Sequence, residues 1–298
     1  MPRLKDWFMA TRPWSFVLTV ISITAATAYT YFLTQTVNFP FYVATLIGVI
    51  LLHASANVLN DYYDTLRGVD IPGAPTTMYR PHPLITGFTT PQGLRNFGLS
   101  LLAGGLLVAF ILAVYRTLVV VLLALSGVLF LIGYSGPPGF KYKSLGELAV
   151  FLSWGPLMWL GTFYVQTGYL DYRPILASVP VGLLVAAVLT ANNLRDIEFD
   201  KSRGAITLEV VLGRDRGLKF FEYFEVYTAY VVLAILALTR VIPLLSLLSF
   251  LTLPQAVKLV NTFKREIPPV ADPMTAQLVQ NFGLLMVAGI ILGGILHV

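Results

Sequence analysis

Long apolar runs alternate with short polar breaks along the whole chain. A membrane-crossing helix needs roughly 17–25 apolar residues. On that measure the pattern predicts nine spans: Pro13–Leu33, Phe41–Asn60, Phe97–Tyr115, Leu118–Tyr134, Leu148–Thr167, Pro174–Leu194, Phe224–Thr239, Val241–Val257 and Leu278–Leu296. Only Arg240 and Pro243 divide the seventh span from the eighth. The predicted fold is all-α, a polytopic bundle that occupies residues 1–298 as one membrane-embedded domain. Met1 to Thr11 carries charges and no short apolar core with a small-residue cleavage site, so no cleaved signal peptide is expected.

Charge supports this count. Only 12% of the 298 residues are charged, against about 25% in a typical soluble domain. When the N-terminus and the loops after spans two, four, six and eight are set on one side, that side holds 17 of the 20 Lys and Arg residues. Lys and Arg mark cytoplasmic loops. The chain is therefore expected in the cell membrane, with the N-terminus and those loops cytoplasmic and the C-terminus outside. The same rule accounts for the net charge of +5 without a nucleic-acid partner. The chain has no Cys, which excludes disulfides, thiolate metal sites and Cys nucleophiles. Its His residues, at 53, 82 and 297, lack metal-ligand spacing.

An internal repeat carries the candidate chemistry. Span two ends in Ala56-Asn57-Val58-Leu59-Asn60-Asp61, and span six in Ala191-Asn192-Asn193-Leu194-Arg195-Asp196. The similarity continues through Asp64-Thr65-Leu66-Arg67-Gly68 and Asp200-Lys201-Ser202-Arg203-Gly204, after one extra residue. The spacing predicts two four-helix repeats, about 13–134 and 148–257, followed by a ninth helix at about 278–296. On a helix, Asn57, Asp61 and Asp64 share one face, as do Asn192, Asp196 and Asp200, while Asn60 and Asp64 form a second i, i+4 pair.

Acidic residues at a membrane boundary are expensive and point to function. Clustered carboxylates also repel one another unless a cation sits between them. Oxygen ligands without His or Cys select a hard cation, magnesium above all, and magnesium also binds substrate phosphates. Two such clusters suit magnesium ions around a diphosphate, with Asn60, Asp61, Asp64, Asp70, Asp196 and Asp200 as candidate ligands. Arg67, Arg80, Lys141, Lys143, Arg195, Lys201 and Arg203 lie among the acids. They serve either as positive-inside anchors or as a diphosphate clamp. Asn57, Asn60 and Asn192 complete the expected binding surface. Glu147 stands at i, i+4 from Lys143 and is expected to pair with it. His53, one turn before Asn57, faces the cavity or bonds a neighbouring helix. The Pro-rich and Thr-rich stretch from Asp70 to Gln92 is long for a simple connection and suits a cap over the site.

With Asn60-Asp61-Tyr62-Tyr63-Asp64 after the second helix and Asp196-Ile197-Glu198-Phe199-Asp200 after the sixth, the chain resembles the UbiA superfamily of intramembrane prenyltransferases over nearly its whole length. The resemblance implies nine transmembrane helices around a central cavity. It also implies magnesium-dependent transfer of a polyprenyl group from a polyprenyl diphosphate, such as geranylgeranyl diphosphate, to an acceptor. Many members carry a further Asp four residues after the second Asp of the first motif. Here that position is Gly68, and the next acid is Asp70. This form, together with Tyr134-Ser135-Gly136-Pro137-Pro138-Gly139-Phe140-Lys141-Tyr142-Lys143, is similar to the branch that prenylates 1,4-dihydroxy-2-naphthoate for menaquinone. Asp61, Asp64, Asp196 and Asp200 are then the expected catalytic residues, and Tyr134 orients or helps to deprotonate an aromatic acceptor. A geranylgeranylglyceryl phosphate lipid and a hydroxybenzoate stand as alternative acceptors. A cation or lipid transporter is a more distant reading, because transporter sites usually lie at the bilayer midplane and these acids lie at helix ends.

Overall fold

The computed structural model describes residues 3–78 and 80–297, and among these every regular element is helical. Eight helices are long and apolar enough to cross a membrane: α1 (Pro13–Thr34), α2 (Phe39–Leu66), α3 (Pro91–Tyr115), α5 (Gly146–Thr167), α6 (Arg173–Ser202), α7 (Arg214–Leu238), α8 (Leu244–Arg265) and α9 (Ala271–Leu296). Between α3 and α5 lies the shorter apolar helix α4 (Val119–Ser135). The break between α7 and α8 falls around Arg240 and Pro243, where the sequence divides the seventh and eighth spans.

Several helices outrun the apolar stretches that announce them. The predicted second and sixth spans stop at Asn60 and Leu194, where polarity begins, yet α2 runs to Leu66 and α6 to Ser202. Backbone hydrogen bonds, not side-chain polarity, decide where a helix stops. At 28 and 30 residues these helices are about 42 and 45 Å long, longer than a hydrocarbon core of about 30 Å. Their polar motifs are therefore helical extensions and not loops. In the same way α7 begins at Arg214 and α9 at Ala271, ahead of the predicted starts.

The main core joins α1, α5, α6, α7, α8 and α9 through buried residues that include Tyr29, Trp159, Leu184, Phe221 and Phe282. A smaller cluster, with Ala109, Leu112, Val120, Tyr164 and Val165, ties α3, α4 and α5 together at the far end of the bundle. Small residues let helices approach closely in lipid, and the α2–α3 contact uses them. A Cβ on Gly98 would lie 2.8 Å from Leu59, and one on Gly105 would lie 2.6 Å from Leu52. The tightest approach to backbone is at Gly289 on α9, where a Cβ would lie 2.2 Å from the backbone oxygen of Leu245. Backbone cannot swing aside as a side chain can. Gly289→Ala is therefore expected to destabilise the bundle by about 1–3 kcal/mol, read as a lower Tm in detergent. Gly127→Ala, whose Cβ meets nothing within 4 Å, should leave the Tm unchanged or slightly raised.

Candidate active site

The two motif helices end in the same way. Gly68 and Gly204 both take φ +70, a left-handed conformation that glycine adopts without steric penalty. After each, the next amide reaches back across the cap: Val69 N–H to the Asp64 carbonyl and Ala205 N–H to the Asp200 carbonyl, both at 2.9 Å. This six-residue closure is the Schellman arrangement. Arg203 fastens the two ends together by donating from Nε and Nη2 to the Gly68 carbonyl at 2.8 and 2.6 Å. Asp64 and Asp200 thus hold equivalent places, and Asn60 and Asp196 lie one helical turn before them.

A cavity of about 510 Å³ opens beside these ends. Its polar end is lined by Arg12, Asn57, Asn60, Asp64, Tyr134, Lys141 and Asn192, and its walls by apolar side chains such as Leu18, Leu52, Phe130 and Trp154. Asn60 is a hub. Its amide nitrogen donates to Asp64 at 3.1 Å and to Ser135 at 2.6 Å, and its oxygen accepts from Arg12 at 2.9 Å. Asp64 also accepts from Lys141 Nζ at 2.6 Å and from the Tyr142 hydroxyl. Burial works against the Lys141 ammonium, but Asp64 outweighs it with help from Tyr142, Tyr134 and Asp200, so its pKa is raised well above the ordinary lysine value. Lys141 therefore carries its charge into the cavity.

Asp61 shares the helix face of Asn57 and Asp64, four residues after the one and three before the other, but Arg12 and Arg80 cover it. It is fully buried, accepts a fork from Arg80 at 2.9 and 2.6 Å and accepts from Arg12. Arg80 comes from the connection between α2 and α3, as does His82, which lies 3.2 Å from Asp70 and 3.9 Å from Asp61. Asp61, Asp70 and His82 form one buried cluster with ligand atoms within 4.8 Å of one another. The Asp70–Gln92 stretch is thus anchored beside the site through its own charged residues. Sequence spacing hides this cluster, because its members come together only when that stretch folds back.

The second motif is held by Arg195. This residue forks onto Asp196 at 2.6 and 2.7 Å, reaches the Asn192 oxygen at 2.7 Å and bonds Asp272 on α9. Asp200 is buried and lies within electrostatic reach of Lys141, Asp196, Asp64 and Asp70; among the described residues none hydrogen-bonds its carboxylate. The other basic candidates spread outward. Arg67 is exposed and sits 4.1 Å above the Tyr142 ring, Arg203 is exposed on its cap, and Lys143 and Lys201 are exposed. Glu147 does not pair with Lys143. Helix α5 begins at Gly146, so Lys143 lies outside it and helical i, i+4 spacing does not apply. Glu147 instead accepts from Asn193 at 2.7 Å. His53 lines the cavity and contacts Ser15 and Thr19 on the first helix at 3.2 and 2.8 Å. Arg12 is the site residue that sequence reasoning missed. Its signal was its place just before Pro13, at the entry to the first span.

The sequence matches the UbiA prenyltransferase family over residues 21–266. The chain belongs to the UbiA prenyltransferase family. UbiA prenyltransferase domain-containing protein 1 of Danio rerio is 31% identical over 289 residues, covering 96% of this chain and 84% of that protein. The Homo sapiens protein of the same name is 30% identical, with coverage of 97% and 84%. The Xenopus tropicalis one is 33% identical, over 71% of this chain and 61% of its own length. Among solved structures, a UbiA homologue from Aeropyrum pernix K1 superposes with TM-score 0.70 at 18% identity, covering 92% of this chain and 98% of that one. A homologue from Archaeoglobus fulgidus bound to DMAPP and Mg2+ gives 0.66 at 17% identity, covering 95% and 99%. These likenesses establish the fold of this UbiA-family enzyme as that of its structural neighbours.

Two outcomes follow from the site. Asp61→Ala strands Arg80, whose side chain is only 3% exposed, and breaking a buried pair in this way costs about 3–5 kcal/mol. A Tm drop well beyond that of Arg203→Ala, measured by thermal unfolding in detergent, is expected. The second outcome concerns Glu209, on the short helix Leu208–Leu212. It is fully buried, and both its carboxyl oxygens lack partners among the described residues. Burial, and then the neighbouring Glu147, push its pKa well above the usual 4.5. A raised folded-state pKa contributes stability that is complete below the unfolded value and is lost as pH climbs toward the raised one. The Glu209→Gln variant should therefore melt higher than the parent at about pH 8, with the gap narrowing near pH 5.

Proposed function

We propose that this UbiA-family prenyltransferase moves a polyprenyl group from a polyprenyl diphosphate to 1,4-dihydroxy-2-naphthoate, with magnesium at the two motifs and the active-site end of the bundle facing the cytoplasm. The observation that carries the reading is the join between a charged end, Asn60, Asp64 and Lys141, and a long apolar cavity. Such a space suits a molecule with an anionic head and a hydrocarbon tail.

The donor set fits magnesium. Asn60, Asp64, Asp196 and Asp200 offer only oxygen ligands, which hard cations prefer, and they occupy matching positions on two identically capped helices. They are the residues that would hold the ion. Asp61 and Asp70 are candidate ligands as well, and with His82 they form a cluster whose ligand atoms lie within 4.8 Å of one another, while Arg80 pairs with Asp61. Bound magnesium would offset the diphosphate charge. The homologue from A. fulgidus was captured with DMAPP and Mg2+ and with GPP and Mg2+, which makes a diphosphate with magnesium the natural ligand class here.

In the reaction, the bond between C1 of the prenyl chain and the diphosphate oxygen breaks, and its electron pair leaves with the diphosphate. Lys141 and Arg12 stand where that negative charge grows. The apolar walls keep water from the allylic cation, and the aromatic faces of Phe130, Trp154 and Tyr134 favour it. The acceptor ring then forms the new carbon–carbon bond, and the naphthoate ring loses its carboxylate as carbon dioxide. Tyr134 lines the cavity with Lys141, Glu147, Asp64 and Asp200 as its charged neighbours, a suitable place from which to orient the acceptor hydroxyl.

The test is purified enzyme in detergent with geranylgeranyl diphosphate, magnesium and 1,4-dihydroxy-2-naphthoate, with the prenylated ring followed by mass spectrometry. Product is expected, abolished by EDTA and reduced at least about 10²-fold in Asp64→Ala and in Asp196→Ala. Product only with a geranylgeranylglyceryl phosphate lipid or a hydroxybenzoate would overturn the acceptor. Turnover that EDTA leaves untouched would overturn the metal.

A further inference from the structure

A glycine inside a helix costs about 1 kcal/mol relative to alanine, so an interior glycine needs a reason. For most glycines in this bundle the reason is contact. A Cβ on Gly98, Gly105, Gly283 or Gly289 would lie within 2.8 Å of a neighbouring atom. Gly127 on α4 and Gly161 on α5 are different. A Cβ on either meets nothing within 4 Å, and both line the cavity. What these two glycines preserve is empty space.

The cavity is deep at this point. On α2 its lining runs from Asn60 back to Thr45, fifteen residues or about 22 Å at 1.5 Å per residue. On α4 it runs from Tyr134 to Val120, and on α5 from Ala149 to Val165, similar depths of about 21 and 24 Å. The far end is closed. Tyr164 and Thr117 share a hydrogen bond of 2.5 Å, and Arg116 donates to the carbonyls of Val165 and Gln166 at 2.7 and 2.6 Å. Near this floor the hydroxyls of Thr45 and Thr162 are buried and line the cavity, without a hydrogen-bond partner among the described residues.

We propose that Gly127 and Gly161 set the length of donor tail that the enzyme accepts, with the tail lying along α2, α4 and α5 and ending against this floor. The inference rests on reading the charged end as a polyprenyl diphosphate site. Each isoprene unit adds four backbone bonds near 1.5 Å, or about 5 Å when extended, so the cavity holds about four units. Gly127 lies about 10 Å from Tyr134 along its helix, beside the second unit, and Gly161 about 18 Å from Ala149, beside the fourth. A side chain at either position would fill the space that the tail occupies from there onward.

The experiment measures binding of dimethylallyl, geranyl and geranylgeranyl diphosphate with magnesium, by calorimetry in detergent, to the parent, Gly127→Leu and Gly161→Leu. Gly161→Leu should weaken geranylgeranyl diphosphate at least about tenfold, because the terminal carbons lose their burial, and leave the two shorter donors unchanged. Gly127→Leu should weaken both longer donors by a similar factor and spare dimethylallyl diphosphate, whose retained binding also shows that the variant is folded. If a leucine variant does not fold, Gly127→Ala and Gly161→Ala should shift preference in the same direction by a smaller factor. Equal effects on all three donors, or no effect on any, would overturn the proposal while leaving the diphosphate site standing. A parent that binds none of them would overturn the site reading together with the tail gauge.

Discussion

Carboxylates withdrawn from water at the end of this bundle need cations beside them, and much of the local structure follows from that requirement. A dehydrated carboxylate is strongly unfavourable unless it is paired and hydrogen-bonded. Asp61 is matched by Arg80 and Arg12, Asp64 by Lys141, and Asp196 by Arg195. Each partner comes from a different piece of chain: the entry to α1, the connection after α2, the loop before α5, and α6 itself. The pairings therefore draw these connections in over the helix ends. Arg195 extends the network to α9 through Asp272. Asp200 lies within electrostatic reach of Lys141, Asp196 and Asp64 but is hydrogen-bonded by no described side chain.

The shared helix cap adds a second level of order. A left-handed glycine stops α2 and α6 at the same point relative to Asp64 and Asp200. Because the helix turns about 100° per residue, fixing the stop also fixes which earlier residues face the same way. Asn60 and Asp196 follow from it. Asp61 lies on the same face and is covered by two arginines.

Beyond this end the bundle is apolar, and the contrast is chemically useful. Charges at the mouth hold and stabilise an anion, whereas the walls exclude the water that would quench a cation. The helices can leave such a volume open because the main core, built on α1 and α5 to α9, carries the packing elsewhere. The smaller cluster at the far end closes the floor.

The sequence by itself determined the membrane class, the succession of apolar helices, the two motifs and the oxygen-rich chemistry at their ends. Each is encoded locally, in apolar run length, in i, i+4 spacing or in the Arg-Gly pair that stops each motif helix. Tertiary structure alone decided which acid is left open to the cavity, because the partners that cover Asp61 are 49 and 19 residues away in the chain. It likewise brought His82 to Asp70, gave Arg12 a place at the site and sent Lys143 and Lys201 outward. It also separated glycines that serve contact from glycines that preserve space, since what lies opposite a glycine depends on which helix packs there and not on its neighbours in sequence.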